Sequence, residues 1–199
     1  MEVTATRSAL LELREEKRLF TEGFKFLDEK RLLLVAEIMR QLARHGQVQE
    51  EWRGLFAKAR LALAHAVERH GLLDLSLLPP VGEVKAISRQ ERDFFGVRLI
   101  TVQRQEVETA SQPVALPSPE GVACGRLFSQ LAVIGVELAA LSGNLQRLMN
   151  EYRRTERRAR ALEDVILPDL ESNLAEMTGR LEEMDQEEAI RVRLKRNHA

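Results

Sequence analysis

The chain has 199 residues, of which 31% are charged and only 5% are aromatic, and more than half are Ala, Glu, Lys, Leu or Arg. This composition is typical of long paired helices rather than of a rounded core. With 30 basic and 31 acidic residues, the net charge is −1. Bulk charge therefore favours neither nucleic acid nor a membrane surface as a partner.

The sequence also bears on disulfides, metal sites and membrane spans. Its single cysteine, Cys124, excludes an intramolecular disulfide and cannot form a metal site alone. No apolar run approaches the roughly 20 residues that cross a bilayer, and the charged N-terminus lacks a signal-peptide core. We expect a cytoplasmic protein with no direct membrane insertion.

The N-terminal part predicts one long helix. Thr4, Thr6 or Ser8 can cap it, and its apolar pattern continues to about Arg69. The spacing is mostly an alternation of four and three residues, with one extra residue between Ile38 and Leu42. The predicted seam is Phe20, Phe24, Leu27, Arg31, Leu34, Ile38, Leu42, His45, Gln49, Trp52, Phe56, Ala59, Leu63 and Ala66.

Residues 71–121 differ in kind, because five of the six prolines lie there and the helical period disappears. The segments 81–88 and 95–103 have the alternation of half-buried strands, and the charged tract 89–93 between them is typical of a turn. We predict a β-hairpin over about 81–103, followed by a loop over 106–119. We expect this insert to project from the helices and to lie outside their core.

A second long helix is predicted from Pro119 or Glu120 to about Arg196. A 3.5-residue repeat sustained over twelve positions indicates a coiled-coil seam. Pro168 predicts a kink or local loosening, and beyond it the apolar stripe resumes out of phase. The twelve positions are Leu127, Leu131, Ile134, Leu138, Leu141, Leu145, Leu148, Tyr152, Thr155, Ala159, Leu162 and Ile166.

Two helices of this length cover each other's seams by folding back on one another. The predicted fold class is all-α: a long antiparallel two-helix coiled coil with a small β-hairpin insert in the middle of the chain. The expected divisions are an N-terminal coiled-coil helix (1–70), the insert (71–121) and a C-terminal coiled-coil helix (122–199). Each helix would be on the order of 100 Å long, which predicts a shaft.

The second helix contains Thr155-Glu-Arg157-Arg158 and Ala161-Leu162-Glu163, then Pro168, and later Leu181-Glu182-Glu183 and Leu194-Lys195. Near the N-terminus are Thr6-Arg7-Ser8 and Lys30-Arg31, and Gly96-Val97 follows the predicted turn. This pattern resembles the D subunit of the V-type and A-type rotary ATPases over nearly the whole chain. Ala159-Arg160, Leu32 and Met184-Asp185-Gln186 depart from the family pattern.

The resemblance implies a central rotor shaft that transmits torque between a catalytic hexamer and a membrane ion-translocating ring. The implied partners are the A/B-type ATPase hexamer, a small F-like central-stalk subunit and a membrane-ring adaptor. The protein would be cytoplasmic and peripheral to the membrane through the complex. The resemblance implies neither a cofactor nor catalysis by this chain.

Basic side chains suggest where partners bind. Arg153, Arg154, Arg157 and Arg158 fall outside the seam and favour a partner-facing collar, with an ordinary solvated face and nucleic-acid binding as alternatives. Lys30 and Arg31 complete the predicted interface. Arg31 lies in the seam, where it either reaches out to solvent or pairs with Glu163 and fixes the register.

No residues predict catalysis. His45, His65 and His70 lack metal-ligand spacing, and Gly121–Gly125 lacks the Lys-Ser/Thr of a phosphate loop. Cys124 shows no sign of a nucleophile's partners. The alternative functions are a generic coiled-coil scaffold or tether with a small β head and, less favoured, a basic coiled-coil nucleic-acid binder.

Overall fold

The computed structural model describes residues 6–76, 88–104 and 118–197. It confirms the predicted fold class, since two long helical segments flank a two-stranded antiparallel hairpin. The elements are α1 (Arg7–Ser76), β1 (Arg89–Phe94), β2 (Val97–Val102), α2 (Pro119–Ala161), a π-helical turn (Leu162–Ile166) and α3 (Leu167–Asn197).

The chain divides into two compact units. The middle unit comprises Leu34–Glu151, and the terminal unit comprises Met1–Leu33 together with Tyr152–Ala199. Each unit therefore combines a part of α1 with a part of the second helical segment.

The helix ends lie close to where the sequence predicts them. The Thr6 hydroxyl oxygen accepts a hydrogen bond from the Ala9 amide at 3.1 Å, so Thr6 caps α1. Gly71 has φ 77° and ψ 160°, which interrupts α1 just past the predicted end. At the start of α2 the Gly121 amide donates to the Ser118 hydroxyl at 3.1 Å, one residue before the predicted first turn.

Within the middle unit, α1 and α2 are antiparallel. Arg69 pairs with Glu120, and further along Arg44 pairs with Glu137 at 2.7 Å. The residue number on α2 rises as the residue number on α1 falls, as two antiparallel helices require. The seam here includes Leu131, Ile134 and Leu148, which are 7%, 7% and 0% exposed.

The terminal unit shows the same antiparallel order. Lys17 pairs with Glu171 at 2.9 Å, and Arg7 pairs with Asp185 at 3.0 Å. Between the helices, Thr155 and Ala159 are almost fully buried.

The predicted seam residues of the second helix all lose solvent exposure. Five of the twelve are buried: Leu131, Ile134, Leu148, Thr155 and Ala159. The other seven are half-buried: Leu127, Leu138, Leu141, Leu145, Tyr152, Leu162 and Ile166. Cys124, near the start of α2, lies buried on the same stripe, and burial raises the pKa of its thiol.

Beyond Leu34 the predicted α1 seam is right at His45, Trp52, Ala59 and Ala66 and wrong at several positions between them. Leu42, Phe56 and Leu63 are exposed, whereas Val48 is 1% exposed. The observed stripe passes through three polar side chains, Glu37, Gln41 and His45, and at Glu37 it also meets Arg92 of the hairpin. Its members are Leu34, Glu37, Gln41, His45, Val48, Trp52, Leu55, Ala59, Ala62 and Ala66.

The hairpin is confirmed, but its first strand and turn were misplaced. The tract 89–93, predicted as a turn, forms most of β1, and 81–87 lies outside the described residues. The actual turn is Phe95-Gly96, with φ 51° and 84°. Positive φ at both central residues is the signature of a type I′ turn, whose twist matches the twist of the two strands. The charged strand escaped prediction because β1 is almost entirely exposed and carries no apolar alternation.

The prediction that the insert projects from the helices is wrong for its described part. Val97 and Leu99, on one face of β2, are 5% and 2% exposed. The Asn144 side chain on α2 accepts a hydrogen bond from the Ile100 amide and donates one to the Ile100 carbonyl, both at 2.8 Å. It thus completes the free edge of β2 as a neighbouring strand would.

One helical stretch, Pro119–Leu194, is long and apolar enough to cross a membrane by length and composition alone. This is weak evidence for a membrane span, because the core helix of a soluble protein passes the same test. The apolar residues of this stretch supply the seam that faces α1.

We predict that Asn144→Ala lowers the free energy of unfolding by about 2 kcal/mol, because it leaves the half-buried Ile100 amide and carbonyl without their side-chain partner. Asn150→Ala is the matched control, since Asn150 is exposed on the same helix, and should change it by less than about 0.5 kcal/mol. Urea unfolding measures both. Equal effects would contradict the docking role of Asn144.

Candidate partner-binding surfaces

The predicted collar arginines lie exposed on the terminal unit. None of Arg153, Arg154, Arg157 and Arg158 forms an ion pair or hydrogen bond with another of the described residues. Arg160, close by, pairs with Glu156 at 2.7 Å. Because 153, 154, 157 and 158 are neighbours on a helix surface, they make one basic patch, which we call the arginine collar.

Lys30 and Arg31 are half-buried on α1. Arg31 donates to Asp28 in its own helix at 2.5 Å. This ion pair replaces the predicted pairing with Glu163, which is exposed. Arg31 therefore does not fix the register of the terminal unit through Glu163.

Several arginines of the middle unit, by contrast, are paired. Arg104, just after β2, donates to Glu51 on α1 at 2.8 and 2.7 Å and to Glu137 on α2 at 2.5 Å. Glu137 also accepts from Arg44, at 3.1 and 2.7 Å. The network joins both helices to the end of the hairpin.

These ion pairs shift the ionisation of their members. The hydrogen bonds that Arg104 donates to Glu51 and Glu137 raise its pKa further above the ordinary value. The hydrogen bond from Arg104 lowers the pKa of the Glu51 carboxyl. Arg104 and Glu51 therefore stay ionised throughout the physiological pH range.

Glu37 is a buried carboxylate on the hairpin side of α1. It accepts hydrogen bonds from Arg40 at 2.8 and 2.6 Å and from Gln41 at 2.9 Å, and Arg92 of β1 lies 3.5 Å away. The Arg40 hydrogen bond is the main cause of its lowered pKa. Its stabilisation is present above the ordinary Glu pKa of about 4.3 and is lost as the pH falls through the lower folded-state value.

An exposed apolar stripe on α1 escaped the sequence analysis. Val35, Met39 and Leu42 recur at spacings of four and three and are 40%, 60% and 51% exposed. Leu42 was predicted to lie in the seam because α1 carries apolar residues on more than one face here, and the sequence does not show which face is buried. We call these three residues the α1 stripe.

A cluster at the junction of α1 and α2 contains a serine, a histidine and a glutamate. Ser118 Oγ lies 2.6 Å and Glu120 Oε2 lies 3.7 Å from the same atom, His70 Nε2. A catalytic triad needs the carboxylate on the other ring nitrogen. This cluster therefore caps α2. Among the residues that the structure describes, no group of His, Cys, Asp and Glu could hold a metal ion.

The fold thus defines a class: long antiparallel paired helices with a docked two-stranded hairpin. The family model for the D subunit of ATP synthase matches residues 9–197. The chain belongs to this family.

Relatives support the same assignment. The chain is 27% identical to the V-type ATP synthase D subunit of Thermotoga neapolitana, over 97% of this chain and 96% of that protein. It is 30% identical to the V-type ATP synthase D subunit of Anaeromyxobacter dehalogenans (strain 2CP-C), over 94% and 92%. It is 26% identical to the A-type ATP synthase D subunit of Methanopyrus kandleri, over 96% and 84%.

We predict that Arg104→Met destabilises the chain by about 1 kcal/mol, since it removes charge-assisted bonds to two carboxylates, reduced by the exposure of Arg104. Arg157→Met should change stability by less than about 0.5 kcal/mol, because Arg157 is exposed and has no partner among the described residues. Thermal unfolding compares the two variants. A larger loss for Arg157→Met would show that the collar serves the fold.

Proposed function

We propose that this chain is a central-stalk subunit of a V/A-type rotary ATPase or ATP synthase. In that role it transmits torque between the catalytic hexamer and the membrane ion-translocating ring. The observation that carries the proposal is the family match across residues 9–197 together with the continuous antiparallel pairing in each unit. A generic scaffold or tether is not favoured, because it would not account for the family match.

The stalk carries no catalytic residue of its own in this proposal, and ATP chemistry belongs to other subunits. Support comes from the junction cluster, whose geometry serves a helix cap and not a proton relay. The protein acts on the cytoplasmic side and joins the membrane through the assembled complex.

The arginine collar is proposed to face the A/B-type hexamer. Four guanidinium groups on one surface, without partners among the described residues, suit a partner that supplies carboxylates as the stalk turns. A rotating contact cannot rely on a few strong fixed bonds, because each would have to break at every step. Exposed pairs worth about 0.2–1 kcal/mol each suit that requirement. Lys30 and Arg31 belong to the same proposed interface.

The α1 stripe is proposed to bind the small F-like central-stalk subunit. Three apolar side chains in a helical stripe are costly to leave in water and are covered when an apolar helix face packs on them. The residues 71–121 are proposed to seat on the membrane-ring adaptor.

We predict that Leu148→Asp abolishes ion-coupled ATP turnover in the reconstituted complex, because it places an unpaired charge at a fully buried seam position. Met149→Asp is the matched control on the next residue, which is 37% exposed, and should retain coupling. A hexamer without this subunit should still hydrolyse ATP uncoupled. Unchanged ion-coupled ATP turnover with Leu148→Asp would contradict the stalk proposal.

Met39→Glu should weaken binding of the small stalk subunit at least about tenfold, equivalent to about 1.4 kcal/mol, while leaving the melting temperature unchanged. Met184→Glu is the control, since Met184 is similarly exposed but lies in the terminal unit. Titration calorimetry with the purified partner measures both affinities. Unchanged affinity for Met39→Glu would remove the α1 stripe from this interface.

A further inference from the structure

The π-helical turn Leu162–Ile166 interrupts an otherwise α-helical segment of the terminal unit. The Leu167 amide donates to the Leu162 carbonyl, five residues back instead of four. Such a turn holds one additional residue per hydrogen-bonded turn, and isolated π-turns inside α-helices occur at specific places for a reason.

The seam of this segment contains one residue too many for a regular repeat. One run of buried and half-buried positions, which starts at Thr155, is spaced 4-3-4 up to Ile166, then 4-4, and then 3-4. A regular heptad alternates fours and threes, so one extra residue falls between Ile166 and Leu174. The positions are Thr155, Ala159, Leu162, Ile166, Leu170, Leu174, Met177 and Leu181.

An uninterrupted α-helix with a strict heptad would fail here. It would bring polar residues into the seam after Ile166 in place of the apolar ones. Those residues are Asp169, Asn173, Glu176 and Arg180, and all four are more exposed than the apolar residues that follow them in the seam.

The facing part of α1 contains no matching irregularity. A run of its half-buried positions is spaced 3-4-3-4-3-4, a regular repeat. The extra residue therefore belongs to one helix only and must be absorbed there. The positions are Leu10, Leu13, Lys17, Phe20, Phe24, Leu27 and Arg31.

We propose that the π-turn Leu162–Ile166 is a phase corrector, which absorbs the extra residue so that the seam on both sides of it faces α1. One residue turns an α-helix by about 100°. Without the correction, α3 would rotate by that angle relative to the preceding seam, and Leu170 would leave the interface.

Pro168 accounts for the location of the turn. It has no N–H to donate to the Asp164 carbonyl, and its ring crowds that carbonyl in a regular α-helix. A wider turn immediately before the proline removes this conflict. The interrupted repeat explains why a wide turn is needed in this segment. Pro168 explains why the π-turn lies immediately before it, next to the arginine collar.

The phase corrector fixes the rotational relation between the arginine collar, which precedes it, and α3, which follows it. The inference depends on the seam of the terminal unit and not on the proposed stalk function. Its test therefore uses the purified full-length chain and gives a result whether or not the stalk proposal holds.

Deleting Asp169 restores a strict 4-3 repeat from Thr155 to Leu181, because the exposed extra residue is removed. We expect the deletion to change the melting temperature by less than about 2 °C, the smallest shift that 1 kcal/mol gives in a chain of this size. Deleting Glu176, also exposed, is the matched control, since it breaks the repeat before Met177 and Leu181.

A cross-link reports the phase directly. Arg7→Cys and Asp185→Cys, joined by a short bismaleimide in a Cys124→Ala background, probe a pair that lies at 3.0 Å in the structure. The cross-link should persist when Asp169 is deleted and be lost when Glu176 is deleted. Loss in the Asp169 deletion, or persistence in both, would overturn the proposal.

A crystal structure of Pro168→Ala separates the two causes. The extra residue in the repeat remains in this variant. We therefore expect a π-type hydrogen bond, from an amide to the carbonyl five residues back, to persist somewhere between Leu162 and Leu174, with Leu170 still buried. An entirely α-helical segment with Leu170 and Leu174 both buried would show that no phase correction is needed.

Discussion

The structure depends on one constraint: each long helical segment carries an apolar stripe that has to be removed from water along its whole length. Antiparallel pairing satisfies it in both units, as Leu34, Val48 and Leu148 show in the middle unit by being almost fully buried. Each buried Leu or Val contributes about 1.5–3 kcal/mol. Polar contacts such as Arg44–Glu137 and Lys17–Glu171 add alignment more than energy, because most of them are exposed.

Function follows from what the pairing leaves outside. The hairpin is fastened by buried polar groups, Asn144 on α2 and Glu37 on α1, whose bonds would be costly to break. The arginine collar and the α1 stripe, by contrast, have no role in the described fold that requires their exposure. The chain belongs to the ATP synthase D subunit family, and under the proposed function these two surfaces contact other subunits of the complex. Tightly packed helices with exposed contact surfaces suit a subunit that transmits force.

Sequence periodicity predicted most of this fold because a 3.5-residue repeat over twelve positions has one physical meaning. It failed where a third element enters the core. Glu37 and Gln41 are buried because the hairpin supplies Arg92 and covers them, and no pattern within α1 alone announces that. The strand β1 is charged and exposed, so no alternation of apolar and polar residues could reveal it. Leu42 was placed in the seam because it is apolar, but it is exposed and contacts no partner helix among the described residues. A candidate partner surface is visible in the sequence only as residues that the seam does not use, and the collar arginines were predicted on that basis.

The most direct test of the account is a pair of spin-label distances in the full-length chain, with labels at 17 and 171 and at 69 and 120. Each pair joins residues in contact within one unit. Antiparallel pairing within one chain predicts a short, narrow distance distribution for both pairs, unchanged when excess unlabelled chain is added. Long distances, or short ones that disappear on dilution with unlabelled chain, would contradict it and indicate helices that pair between separate copies.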